Sequence, residues 1–336
     1  MKTGSEYECW DGTKVMRYKM ESRVKIRRIS KLSNRKKKKK SRIVLLILAL
    51  ILLIVAIFLL DIYRRANFAV KWMNEMPGDT VVDMRAAAGL PELNLGTDPF
   101  SVLILGLDQR RSDSMMVATI NPNENTSFLL SIPRDTMVDI PGHGITRINH
   151  AITYGGIDLA INTVQNLLNI PIDYYISLHM AQFDALVAAF GGVRVYNNTV
   201  AFSMGGYNFP LGYIDLTGSS AYYYVRMRMD DPRGDFGRQE RQRDVLGAMV
   251  NELAGVTALT RYQQIFNSAG SAMRTNMTLR EMMTISLNYT RALINITNFD
   301  LQAPGQMING IYLIPIPEDQ RLEMTQRLRR HLEIES

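Results

Sequence analysis

Between Arg226 and Asp244 the chain reads RMRMDDPRGDFGRQERQRD, with six arginines, five acidic residues and no lysine. A solvated helix face normally mixes lysine with arginine. Arginine alone supplies rigid planar forks that match carboxylate or phosphate oxygens two at a time. The competing reading is a surface ion-pair network, which is common and individually weak. Two more charged clusters precede this one. LGLDQRRSDSMM holds Asp108, Arg111 and Asp113, and SIPRDT holds Arg134 and Asp135. Both follow apolar runs that read as strands, and strand ends are where ligands bind in α/β sheets.

Asp108 ends one predicted strand and Asp113 begins the next, so a tight turn brings two carboxylates close. Unpaired, they repel and one takes up a proton. A hard cation between them resolves this, because Mg²⁺ uses one or two carboxylates, waters and substrate phosphates. The alternative is that each pairs with Arg110 or Arg111. Arg226 and Arg228 share a face if the chain there is extended. Arg238 and Gln242, four apart, share a face of the following helix. Asp235 sits just before that helix, where it serves as an N-cap, as a base for an attacking hydroxyl, or as both. A helix N-terminus is also a natural phosphate site. Arg243 and Asp244 read as solvated. This inventory suits a pyrophosphate, whose transfer needs positioning and charge neutralisation more than a covalent nucleophile. No phosphate-binding GxxxxGK[ST] loop is present. The single cysteine, Cys9, excludes an internal disulfide, and four scattered histidines give no zinc-site spacing.

The elements that position these clusters form an α/β pattern. Phe100–Gly106, Met115–Ile120 and Phe128–Ile132 read as buried strands, as do Tyr174–Leu178, Val193–Tyr196 and Gly310–Ile316. Helical spacing covers 157–168, 181–190, 237–254, 279–293 and 317–332. The expected fold is a central, mostly β sheet flanked by helices and preceded by a single transmembrane helix. That helix is residues 43–60, eighteen apolar residues without a charge. The block NRKKKKKSR abuts it, so residues 1–42 form a basic cytoplasmic tail and the rest of the chain lies outside, as a single-pass type II protein. The tail carries 16 basic and 4 acidic residues, leaving 23 basic and 28 acidic beyond it. The outer part is therefore mildly acidic, which argues against a nucleic-acid partner; the basic block favours membrane lipid. Residues 61–97 read as a stalk, 98–255 as the catalytic core and 256–336 as a C-terminal part without a legible motif. The apolar run from Leu159 to Phe190 is a candidate lining for a lipid pocket.

The stretches LGLD, RSDSMM, SIPRDT, INHAITYGG, FGGVRV, LTGSSAYYYVRMR and GDFGRQERQ, in this order, resemble the LytR–CpsA–Psr family from Phe100 to about Gly255. The resemblance implies an extracellular phosphotransferase of a Gram-positive-type cell membrane. It would move a wall teichoic acid or capsule-like glycopolymer from an undecaprenyl-pyrophosphate carrier to the C6 hydroxyl of N-acetylmuramic acid in peptidoglycan. It implies Mg²⁺ on Asp108 and Asp113, and pyrophosphate on Arg111, Arg134, Arg226, Arg228, Arg238 and Gln242. Asp235, Arg111 and Arg228 are then catalytic, with Asp235 the candidate base and Asp231 its rival. The loop between Asp108 and Arg111 is shorter than in many members. A polyprenyl-phosphate receptor or regulator without turnover, signalling through the tail, and a lipid pyrophosphate hydrolase are the alternative functions.

Overall fold

The computed structural model describes residues 47–78, 80–109, 111–253 and 256–334. The basic tail, Cys9 and the first residues of the expected membrane span lie outside these. The chain divides into two compact units, residues 1–63 and 64–336. Helix α1 (Ile47–Met73) is the one described helix long and apolar enough to cross a bilayer. Its side chains from Ile47 to Leu60 are all exposed.

The larger unit begins within α1. Ala66 is buried, and Ala69, Val70 and Met73 are buried against Phe266, Ala269 and Met282. The segment expected as a stalk is therefore docked from its first turns onward. Asp158 accepts from the backbone of Gly78 and the hydroxyl of Thr80. Just after α2 (Met84–Ala87) starts, Arg85 pairs with Asp173 at 2.7 Å. These partners lie about 80 residues away in the chain, so small and polar residues that look like a linker locally are tied down by distant ones.

Strands β1 (Phe100–Asp108), β2 (Arg111–Asn121) and β3 (Thr126–Ser131) form an antiparallel meander. A hairpin, β4 (Met137–Ile140) and β5 (Gly144–Arg147), leads into α3 (His150–Leu168). Gly155 and Gly156 break the helical geometry of α3, Gly156 at φ 66°. β6 (Tyr174–His179) returns parallel to β1. A 3₁₀ turn, α4 (Phe183–Phe190) and β7 (Val193–Asn197) follow. Next come β8 (Phe202–Met204), β9 (Tyr207–Phe209) and β10 (Gly212–Leu216), with β10 paired to β7. Helices α5 (Ser219–Arg226), α6 (Asp235–Leu253) and α7 (Val256–Ala272) complete this lobe. The chain ends with β11 (Met273–Thr275), α8 (Leu279–Asn288), α9 (Thr290–Ile294), β12 (Ile296–Asp300), β13 (Gln306–Ile308), β14 (Ile311–Leu313) and α10 (Glu318–His331).

Among the described residues the main sheet has the order β11-β6-β1-β2-β3-β12. It is mixed, as β3 and β12 also run parallel. Both of its edges come from the C-terminal part, which is thus integral to the fold. Leu103 and Leu105 pack on the back face with α3 and α10, where Ala160, Val164 and Leu328 are fully buried. Val102 and Ile104 point to the front. Coverage of both faces is why β1 reads as a continuous apolar run without alternation. The single helix expected over 279–293 is two helices. Tyr289 stands between them, buried, and its hydroxyl accepts from Gly96 N and donates to Asp98 O.

Candidate active site

A two-residue turn joins β1 to β2, with Asp108 opposite Arg111 and Gln109 at φ 56°. Mirror-image turns of this kind follow the strand twist and need positive φ. Register then shifts by one. Leu107 faces Ser112 and Gly106 faces Ser114, so Asp113 has no partner across the ladder. Such a bulge re-aims one side chain. Among the described residues each aspartate pairs with an arginine distant in sequence. Asp108 Oδ2 accepts from Arg226 Nη1 at 2.8 Å, and Asp113 Oδ1 accepts from Arg134 Nη1 at 2.9 Å. Arg238 Nη2 donates to the backbone oxygen of Asp113 at 3.0 Å and lies 2.6 Å from Asp235 Oδ1. Three clusters separated by up to 125 residues are thereby joined by direct bonds.

Arg226 and Arg228 reach the site differently from the expected extended pair. Arg226 is the last residue of α5, and only at Met227 does the chain become extended, with φ −61° and ψ 134°. Met227 is buried, which leaves Arg226 half-buried and Arg228 exposed at the rim. Asp235 lies inside the first turn of α6, not before it. There its charge suits the helix dipole, and its second oxygen accepts from Gln239 at 3.0 Å. Gln242 donates its amide to Val225 O, fastening α6 to α5. Arg111 is exposed, and its charge reaches His150.

Two sequence readings are corrected. Asp231, the rival base, is a structural anchor. It is buried, accepts from Arg241 Nη1 at 2.7 Å and from the backbone of Arg233 at 2.9 Å. Burial pushes its carboxyl up, but these donors outweigh it and hold the carboxyl below the ordinary value. Arg241 also donates to Met227 O and stacks near Phe202 and Tyr224. Arg243 is not solvated either, and Asp244 is only partly exposed. Arg243 is buried, bound to Ser131 Oγ and Asp300, and burial together with Glu240 pushes the Asp244 carboxyl up to about 6.

Sequence reasoning missed Arg147 and His150, although both sit around the INHAITYGG stretch. Arg147 lies 3.5 Å from Asp135, and its Nη2 donates to His150 Nε2 at 3.1 Å. Because arginine only donates, that ring nitrogen must accept, which leaves the proton on Nδ1 beside Thr146 Oγ1 at 3.1 Å. Burial, then Arg147 and Arg111, hold His150 below the usual imidazole value, so it is neutral at pH 7. Six arginines (111, 134, 147, 226, 228 and 238) thus face four aspartates (108, 113, 135 and 235) among the described residues. The excess is two positive charges, the charge that a pyrophosphate diester would neutralise.

On the same sheet face, beyond the charged end, lies an apolar cavity of about 750 Å³. Phe100, Val102 and Ile104 line it, in the same alternation that ends at Asp108. On α6, Arg238, Gln242, Leu246 and Val250 follow at intervals of four, forming one stripe from the charged cluster into the cavity. The expected lining from Leu159 to Phe190 contributes only Ile176. α3 from that run is committed to the back-face core and α4 to a second core.

An arginine-rich, net-positive cage running into an apolar groove on one sheet face has the chemistry to take an amphiphile with an anionic head. The chain belongs to the LytR–CpsA–Psr (LytR_cpsA_psr) family, whose model matches residues 69–330. It is similar to the polyisoprenyl-teichoic acid–peptidoglycan teichoic acid transferase TagU of Bacillus subtilis, at 40% identity over 242 residues, 70% of this chain and 79% of that one. The crystal structure of B. subtilis TagU matches at TM-score 0.59 and 36% identity, over 71% of this chain and 99% of the other. TagT bound to LIIa-WTA matches at TM-score 0.63 and 29% identity, over 73% and 94%.

Proposed function

We propose that this protein is a membrane-anchored, extracellular transferase that moves a teichoic-acid- or capsule-like glycopolymer from an undecaprenyl-pyrophosphate carrier to N-acetylmuramic acid of peptidoglycan. The observation that carries this reading is the continuous path from arginine cage to apolar groove along β1 and α6. A head of two negative charges and a long apolar tail require that combination. The acids and transferase names of the relatives support the same substrate class. The apolar part of α1, preceded in sequence by the basic block, supports a type II anchor in a Gram-positive-type membrane.

In this reading Arg111, Arg134, Arg226, Arg228 and Arg238 hold the pyrophosphate. The acceptor hydroxyl oxygen bonds to the sugar-bearing phosphorus as the bridging P–O bond breaks. Polyprenyl phosphate leaves, and the hydroxyl proton passes to Asp235. Arg228, exposed at the rim, is free to close on the phosphates as they arrive. Fixed arginine donors stabilise the charge that develops on the equatorial oxygens.

Mg²⁺ fits the donor set. Among the described residues no group of three or more acidic, His or Cys side chains gathers as a metal site. A cation shared with phosphates needs only one or two carboxylates. Asp108 and Asp113 each spend one oxygen on an arginine, and no described hydrogen bond reaches Asp108 Oδ1 or Asp113 Oδ2. When bound there, the ion would neutralise phosphate charge. The test is the full chain in detergent with a lipid-pyrophosphate-linked disaccharide, peptidoglycan oligomers and Mg²⁺, read by mass spectrometry. Phosphodiester-linked product that disappears with EDTA is expected. Bound but unconverted donor, with several acceptors tried, overturns the transferase in favour of a receptor.

A further inference from the structure

The mouth of the groove carries more apolar surface than the groove itself uses. One lip is the α8–α9–β12 segment. Ile285 and Leu293 point into the groove, while Met283, Leu287 and Ile294 are 48%, 76% and 62% exposed. The other lip is the two-stranded β7–β10 sheet. Its alternation buries Val193, Val195, Ile214 and Leu216 and turns Tyr196 and Tyr213 outward. These tyrosines are cross-strand partners, edge to face at 4.9 Å, and 53% and 75% exposed. Tyr196 belongs to the groove wall as well.

Exposed aliphatic side chains framing an apolar cavity mark an interaction site rather than ordinary surface. The composition identifies the partner. Tyrosine is enriched where one end of a side chain is apolar and the other wet, as at a lipid–water boundary. Arg280 and Arg291 are exposed on the aliphatic lip and complement an anionic headgroup layer. The carboxylates of the lips are already engaged: Glu281 by the Thr278 cap and Tyr174, Asp300 by Arg243, and Asp215 by Arg194. A bilayer is also the partner that the chain's own apolar helix keeps at high effective concentration.

We propose that the two lips of the groove rest on the surface of the lipid bilayer, so that a prenyl tail passes from membrane to groove without crossing water. The surface contact stands on the lips alone, whereas the passage of the tail rests on the donor reading above. Full-length protein carrying Cys9→Ser, with Leu287→Cys, Tyr213→Cys or Tyr312→Cys, is labelled with an environment-sensitive fluorophore. It is then placed in nanodiscs of phosphatidylcholine and phosphatidylglycerol that contain headgroup-proximal spin-labelled lipid. Tyr312, exposed on β14, is the reference. Quenching at 287 and 213 at least twofold above that at 312 is expected. Equal quenching at all three overturns the contact, as does a blue shift at 287 that follows protein concentration and ignores spin lipid, the mark of a second copy. The passage is read separately. Leu287→Ser with Ile294→Ser raises KM at least tenfold for a long-chain donor and leaves KM for a short-chain, water-soluble donor unchanged. Equal KM values for both donors overturn the passage, and absence of turnover with either donor in unsubstituted protein indicts the transferase reading instead.

Discussion

Asp231 and Asp235 lie four residues apart and do different work, which makes them a diagnostic pair. Asp231 neutralises the fully buried Arg241, so Asp231→Asn leaves an uncompensated charge and costs about 3–5 kcal/mol. Asp235→Asn keeps an acceptor for Arg238, costs about 1 kcal/mol, and lowers transfer by about 10²–10⁴-fold if Asp235 takes the proton. Urea unfolding beside turnover separates the two. His331 and Asp244 give pH limbs of opposite sign from the same leading cause, burial. His331 is buried between Thr119 and Thr126 and stacks on Phe128. Burial lowers it to about 4, so the unfolded chain takes up a proton near the ordinary 6.5 before the folded one does. Stability therefore falls as pH drops from about 6.5 to 4, by roughly 3 kcal/mol in all. His331→Gln flattens this limb in unfolding titrations at pH 7 and 4.5. Asp244 holds its proton to about pH 6 in the folded state, so its ionisation costs stability as pH rises from 4 through 6. Asp244→Asn gains about 1–2 kcal/mol at pH 8, discounted for the partial exposure of the group.

Two elements carry both halves of the site. β1 runs from groove wall to Asp108, and α6 runs from Asp235 to Val250. A plug in the groove therefore separates tail binding from head chemistry. Ala118 faces the groove from β2. Ala118→Trp raises KM for a long-chain donor at least tenfold, on the order of 1.4 kcal/mol of lost binding, with little change for a short-chain donor. Equal loss for both donors would show that the groove does not take the tail. The β1–β2 bulge is the smaller element that matters most. It leaves Asp113 unpaired across the ladder, and Arg134 and Arg238 fill the space.

At the scale of the molecule, the C-terminal part closes the sheet on both edges and covers its back. β11 lies on β6, β12 lies on β3, and α10 buries Leu328 against α3. Leu328→Ala, far from the charged site, lowers stability by about 2–5 kcal/mol in urea unfolding while leaving KM for the donor unchanged. The α/β class, the strands of the meander and the membrane-length helix were legible because their patterns are local: short apolar runs, turn residues and an eighteen-residue uncharged stretch. The docking of residues 64–97 was not, because nothing near Gly78, Val82 or Arg85 announces partners at Asp158, Asn162 and Asp173.

By itself the sequence determined which chemistry is available. Arginines without lysine and aspartates at strand ends supply the donors and charge that a phosphate site needs, since residue type decides charge and donor geometry whatever the fold. Tertiary structure alone decided how those charges are shared. Of the acidic residues between Arg226 and Asp244, Asp231 became a buried anchor, Asp235 a carboxylate held by Arg238 and Gln239 in the arginine cluster, and Asp244 a groove-lining acid raised by burial. Their sequence surroundings are nearly alike. The ionic partners of Asp231 and Asp235 lie within ten positions, whereas the burial that sets the energy of each charge comes from elements distant in sequence, as where Arg238 reaches the backbone of Asp113.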